Sequence, residues 1–311
     1  MPSYRHIHYA LRPAKNVERK LIVETMQRLS RIVDVPRMRY VGMGSVYFAD
    51  FSLFHRRLGI SEMHSIEHAG TEALQERLKF NRPYHTNLHF TVTSDALPTI
   101  PWDMPSLVWL DYDGKLSDRI LTDLEIVVST CSVPTVLVVT VNVEPGHHEG
   151  RYDDFVSNVS EELLPAYVRS DADLAGRKMG DVSRNVMSVL VHDSLAIRNG
   201  VLSPEERILA PQLLHFRYKD GARMLTVAWL LHSANWQERV ASCNLSELPF
   251  TSQGDEPFEI SVPKLTVRET LHLDSQLPAS GTISSPGVAA ADLTAYSRLY
   301  RYLPSFVDAD L

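Results

Sequence analysis

The run Thr-Val-Leu-Val-Val-Thr-Val at 135–141 is unbroken in β-branched and apolar residues, as a strand buried on both faces must be. It closes a series. Short apolar runs at 38–41, 63–66, 88–93 and 107–110 read as earlier strands, and helical patterns fall between them at 47–58, 69–80 and 116–128. Strand and helix in repeated alternation select a parallel sheet covered by helices on both sides. A helix is predicted ahead of the first strand, over 13–33, from the spacing of Val17, Leu21, Met26, Leu29 and Ile32. Beyond 141 the pattern turns helical over about 146–205, clearest at 182–197 with Gly200 as its cap. Runs at 213–218 and 224–231 flank Asp220-Gly221 as a β-hairpin, 258–262 reads as one more strand, and Thr266 with Glu269 forms a capping box for a last helix.

The expected fold class is therefore α/β: a doubly wound, mostly parallel seven-stranded sheet with an antiparallel edge hairpin, a helical insertion and a C-terminal appendage. The expected divisions are an N-terminal helical segment at 1–37, a Rossmann-like domain at 38–250 with its insertion at about 146–205, and the appendage at 251–311. A chain of 311 residues is long enough for this in one large domain. No stretch approaches the roughly 18 apolar residues of a membrane helix, and the first twenty residues lack the apolar centre of a signal peptide, so a cytoplasmic protein that meets no membrane is expected. Cys131 and Cys243 are too few for a disulfide framework or a thiolate zinc site and read as buried residues. A net charge of −7 gives no indication of a nucleic-acid partner, although a local patch is compatible with it. The basic run Arg12, Lys15, Arg19 and Lys20 is the place for such a patch, and its plainer reading is a solvated helix face.

In an open parallel sheet, ligands sit beyond the carboxyl ends of the strands. The polar residues there are Gly42, Gly44 and Ser45 after the first strand, Glu67 after the second, Asp95 after the third and Asp111 after the fourth. Glycine in the first turn permits close approach of a ligand, and an acid some 20 residues later can accept both hydroxyls of a ribose. The third glycine of the dinucleotide fingerprint is missing, which disfavours a pyrophosphate-bearing cofactor.

The segments Val41-Gly42-Met43-Gly44-Ser45, Ser65-Ile66-Glu67, Thr93-Ser94-Asp95-Ala96 and Trp109-Leu110-Asp111-Tyr112-Asp113-Gly114 together resemble the class I Rossmann-fold S-adenosylmethionine-dependent methyltransferase superfamily, with an O-methyltransferase-like character. The resemblance covers about 38–145 and the hairpin at 211–233. It implies S-adenosylmethionine as cofactor, with Gly42, Gly44 and Ser45 under the methionine part, Glu67 on the ribose and Asp95-Ala96 at the adenine. It also implies that Asp111, Tyr112 and Asp113 lie beside the transferred methyl. The first loop departs from the family pattern in carrying Tyr40 where an acid is common.

Two carboxylates at Asp111 and Asp113 could serve as a general base, hold a metal or orient a nucleophile, or could cap a strand-to-helix turn. The methyl acceptor is left open, since neither the Asn-Pro-Pro-Tyr nor the Pro-Cys motif of DNA methyltransferases is present. Two other readings stand beside methyl transfer: an inactive protein of the same fold that binds a nucleotide, or a protein partner through its insertion or appendage, and a metal-dependent nucleotide-processing enzyme using Asp111 and Asp113. The close pairs His6 and His8, His64 and His68, His85 and His89, and His147 and His148 lack a third ligand in a zinc pattern, so no metal site is expected. His147, His148, Asn142 and Glu144 follow the fifth strand and read first as loop residues, second as bases. Arg12, Lys15 and Asn16 could face a carboxylate if the first helix closes over the cofactor.

Overall fold

The computed structural model describes residues 12–83, 86–146, 149–251, 254–278 and 281–304. The first half runs α1 (Pro13–Leu29), β1 (Arg39–Gly42), α2 (Ala49–Leu58), β2 (Glu62–Ile66), α3 (Glu72–Asn81), β3 (Thr86–His89), α4 (Thr93–Ala96), β4 (Ser106–Lys115), α5 (Asp118–Thr130) and β5 (Thr135–Asn142). The second half adds α6 (Arg151–Asn158), α7 (Lys178–Asn199), β6 (Ile208–Leu209), β7 (Gln212–Asp220), β8 (Ala222–Ser233), α8 (Gln237–Ser242), β9 (Phe258–Ile260), α9 (Val267–Asp274) and α10 (Ala290–Leu299).

Among the described residues these strands form one nine-stranded sheet in the order β3-β2-β1-β4-β5-β8-β7-β9, with β6 added on β8. Strands β3, β2, β1, β4 and β5 run parallel to one another, and β8 runs antiparallel between β5 and β7. The doubly wound sheet is the one the sequence predicts, but with nine strands in place of seven, β6 and β9 being added. The β7–β8 hairpin is not the edge, because β9 pairs parallel with β7 through Phe216↔Phe258 to Tyr218↔Ile260.

Period-two alternation divides the core. Tyr40, Leu107, Trp109, Val136 and Val138 face α1 and α2, whereas Val41, Val108, Leu110, Leu137 and Val139 face α5 and α7. Both cysteines are buried, as expected. Helix α1 is built into the first of these layers, and the solvated basic face predicted for it does not exist. Lys15, Arg19 and Arg12 are all buried, and Lys20 donates to the carbonyls of Tyr302 and Leu303. The helix is covered on one side by the sheet and on another by the segment after α10, so even its charged positions find partners inside.

The start of α1 is fixed from a distance. No side chain of its own caps it, but the Asp220 carboxylate at the β7–β8 turn accepts the backbone N–H groups of Ala14 and Lys15 at 3.3 and 2.9 Å. A carboxylate there also meets the positive end of the helix. Replacing Asp220 with Ala should therefore lower stability by roughly 1–2 kcal/mol, read as a shift of the urea unfolding midpoint. An unchanged midpoint would show that the turn does not hold the helix.

Candidate functional site

Helix α1 and the carboxyl ends of β1, β2 and β4 enclose a cleft of about 240 Å³ lined by Arg19, Met43, Gly44, Ser45, Ile66, Glu67, His68, Asp111, Tyr112 and Asp113. Six of the nine residues expected at the site from sequence line it. Gly42, Asp95 and Ala96 do not. Ala96 is buried in α4 and Asp95 is exposed, its carboxylate near the Thr91 hydroxyl. The third strand is displaced from its predicted span. Strand β3 ends at His89, opposite Ile66, so Thr93 to Ala96 form a helical turn rather than a strand end.

The glycines after β1 make room for the chain's own aromatic residues. A Cβ on Gly42 would lie 2.4 Å from the Tyr40 hydroxyl, and one on Gly44 would lie 2.3 Å from the Phe48 ring. Ser45 and Phe48 take left-handed backbone conformations at φ of 52° and 43°, each costing on the order of 1–3 kcal/mol and held by the packing around them. The phenol of Tyr40 bends under Gly42 and donates to the Asp50 carboxylate of α2. The acid usual at position 40 in the resembling family is thus replaced by a tyrosine that reaches an acid on the following helix. Burial pushes the Asp50 carboxyl up, and the Arg19 guanidinium opposes that shift.

Glu67 lies beneath the same loop. Gly44 N–H donates to the Ser65 hydroxyl at 2.9 Å, and that hydroxyl donates to Glu67 Oε1 at 2.6 Å. Burial nevertheless raises the Glu67 carboxyl to about 7, against the lowering effect of Ser65 and the loop amides. The carboxylate has more lone pairs than donors.

Strand β4 runs on to Lys115, so Asp111-Tyr112-Asp113-Gly114 continues the strand instead of turning into α5. The register against β5 shifts between Asp111 and Lys115. Alternation then turns Asp111 toward α1 and Tyr112 toward α5. The Tyr112 hydroxyl donates to buried Asp123 at 2.6 Å, and burial followed by the Asp123 charge pushes its pKa far up. Tyr112 lines the cleft with its hydroxyl committed to Asp123. Asp111 receives Lys15 Nζ at 2.5 Å, and the same ammonium lies 2.8 Å from Glu18 Oε2, donates to the Tyr218 hydroxyl at 3.1 Å and sits 4.3 Å from the Trp109 ring centre. Sequence reasoning missed Arg19 and Glu18 as site residues, because an alternation of basic and acidic residues on a helix ordinarily marks a wet surface.

The other candidates lie elsewhere. His64 meets His89 across β2 and β3, Nδ1 to Nε2 at 2.9 Å, in place of the pairings with His68 and His85. His68 lines the cleft, while His6, His8, His85, His147 and His148 fall outside the described residues. Asn142 accepts the Glu144 N–H, and Glu144 accepts from the Arg223 N–H and pairs with its guanidinium, so both serve the β5–β8 end. Arg12 donates to the Asp220 carbonyl. No group of three metal-ligating side chains occurs among the described residues, and none of their helices is long and apolar enough to cross a membrane.

A family model described as "Putative O-methyltransferase" matches residues 7–311. No curated protein matches the sequence. Among solved structures, Trm1 from Pyrococcus horikoshii in complex with S-adenosyl-L-methionine is similar at a TM-score of 0.50 and 10% identity, over 72% of this chain and 57% of that one. A second, named "Putative hemolysin from Streptococcus thermophilus", is similar at 0.40 and 11% identity, over 72% of each chain. The first likeness bears on the fold, and this chain spans little more than half of that protein's length.

The raised Glu67 pKa has a signed consequence. An acid held neutral in the folded state to about pH 7 stabilises the fold below its ordinary value of 4.5 and loses that contribution as pH rises through 7. Between pH 5 and pH 8 the loss amounts to roughly 2–3 kcal/mol. Glu67→Gln should shrink the fall in unfolding free energy across that interval by this amount, and denaturant titrations of both proteins at the two pH values check it.

Proposed function

The chain belongs to the putative O-methyltransferase family, and on that footing we propose that it transfers a methyl group from S-adenosylmethionine bound in the cleft of α1, β1, β2 and β4. One observation carries the reading: Gly44, Ser45, Glu67 and Asp111 meet at the carboxyl ends of three adjacent parallel strands, where a sheet of this type takes its ligand. The residues suit the cofactor. Glu67 is a buried carboxylate short of donors, as the acceptor of two ribose hydroxyls should be, and the buried Ser45 hydroxyl is unpaired among the described residues. Arg19 offers a guanidinium to the methionine carboxylate, and Met43, Ile66 and His68 offer apolar and aromatic surface to the base.

When bound, the cofactor supplies a methyl on a sulfonium, open to in-line attack. Most of the work left to the protein is positioning. Glu67 fixes the ribose, Arg19 the carboxylate, and Asp111 presents its charge to the cationic end. Asp113, exposed at the cleft, is the group placed to take the proton of a hydroxyl acceptor, the atom type named in the family description. A divalent-metal reading of Asp111 and Asp113 is disfavoured, because the Lys15 ammonium already takes the inner oxygen of Asp111.

Calorimetric titration with S-adenosylmethionine tests the reading. Binding should weaken up to about tenfold from pH 8 to pH 6, since the ribose takes the ionised form of a group with a pKa of about 7. In Glu67→Gln the affinity should fall and the pH dependence disappear. Absence of binding by the wild-type protein at millimolar cofactor would reject the proposal.

A further inference from the structure

Of Lys15, Glu18, Trp109, Tyr218 and Asp111, Asp111 alone lines the cleft, and what it offers a ligand depends on charges the ligand never touches. Its inner oxygen is met by Lys15 at 2.5 Å. If Lys15 had no other partner, the pair would be neutral and the cleft would meet a spent carboxylate. The second partner is Glu18, fully buried and absent from the cleft lining.

The groups around Glu18 bear on its charge. The Trp109 indole can only donate, and it donates to Thr140 Oγ1 at 3.0 Å. That leaves the Thr140 proton available to Thr226, 2.8 Å away, and the Thr226 hydroxyl donates to Glu18 Oε1. Oε2 faces the Lys15 ammonium at 2.8 Å. Burial, and then the Asp111 charge, push the Glu18 carboxyl up, while the Lys15 ammonium beside Oε2 and the Thr226 hydroxyl on Oε1 oppose that push and favour the carboxylate. The remaining cations are matched separately: the Arg19 charge acts on Asp50, and Arg12 meets the end of β7 at Asp220.

We propose that Glu18 is a specificity-determining residue for the cationic end of the ligand, acting only through Lys15 and Asp111. By neutralising the Lys15 ammonium it leaves the trio of two carboxylates and one ammonium with a surplus negative charge. That surplus emerges at Asp111, in a cleft where charges interact more strongly than in water. The inference rests on the methyltransferase reading above, and its test separates the two.

The probes are S-adenosylmethionine, S-adenosylhomocysteine and 5′-methylthioadenosine, titrated calorimetrically into wild type, Glu18→Gln and the double variant Lys15→Met/Glu18→Gln, with a thermal melt of each to establish folding. The first two probes carry the amino-acid ammonium and the third does not. Glu18→Gln makes the trio neutral and should weaken the first two by about tenfold while leaving methylthioadenosine unchanged. The double variant restores the single negative charge and should recover most of the loss. A merely structural role for Glu18 would move all three probes together, and that result, or three unchanged affinities, overturns the inference while leaving the methyltransferase reading standing. Failure of all three probes to bind the wild type removes both.

Discussion

A buried ammonium joins the layers of this molecule at its site. Lys15 enters from α1, meets Asp111 at the end of β4, Glu18 one turn along its own helix and Tyr218 on β7, and rests over the face of Trp109. Taking one charge into such a place is costly, and leaving any member of the group alone would cost several kcal/mol, about 3–5. The arrangement therefore determines where α1 can lie. It also explains why the helix is anchored at both ends, by Asp220 at its start and by the contacts of Lys20 and Glu24 with Tyr302 and its neighbours farther along. With α1 in place, Arg19 reaches the cleft.

The loop after β1 shows a second constraint. Its glycines resemble a cofactor loop in sequence, yet the space above Gly42 and Gly44 is taken by Tyr40 and Phe48. Their lack of a side chain allows the loop to fold tightly onto β2, which brings its amides over Ser65 and Glu67. A glycine can serve a ligand indirectly, by letting the protein pack a rigid floor beneath it. The tyrosine at position 40 belongs to the same device, since its hydroxyl reaches Asp50 on α2 and ties that acid into the group around Arg19.

Much of the fold was legible because its strands are buried on two faces and their apolar runs are continuous. Strand β5 lies within one residue of its predicted span, and the hairpin turn at Asp220-Gly221 and the Thr266–Glu269 capping box are both present. The edge was less legible. Strand β3 pairs with β2 alone, so its length follows the register with β2, and the apolar pattern that continues through Phe90 and Val92 belongs to a bend and a short helix. Helix α10 escaped notice because it buries little beyond Tyr296 and Leu299. At the site, Glu67 and Asp111 were found from strand ends, whereas Lys15 and Glu18 owe their roles to strands some ninety to two hundred residues away, which no local pattern records.

The proposal places the adenosyl cofactor in this cleft with Glu67 on its ribose. A crystal structure of the protein with S-adenosylhomocysteine tests it most directly. The two ribose hydroxyls should lie within hydrogen-bonding distance of the Glu67 carboxylate, and the amino-acid end between Arg19 and Asp111. Density for the nucleoside at another place, with Glu67 still bonded only to Ser65 and the loop, would contradict it.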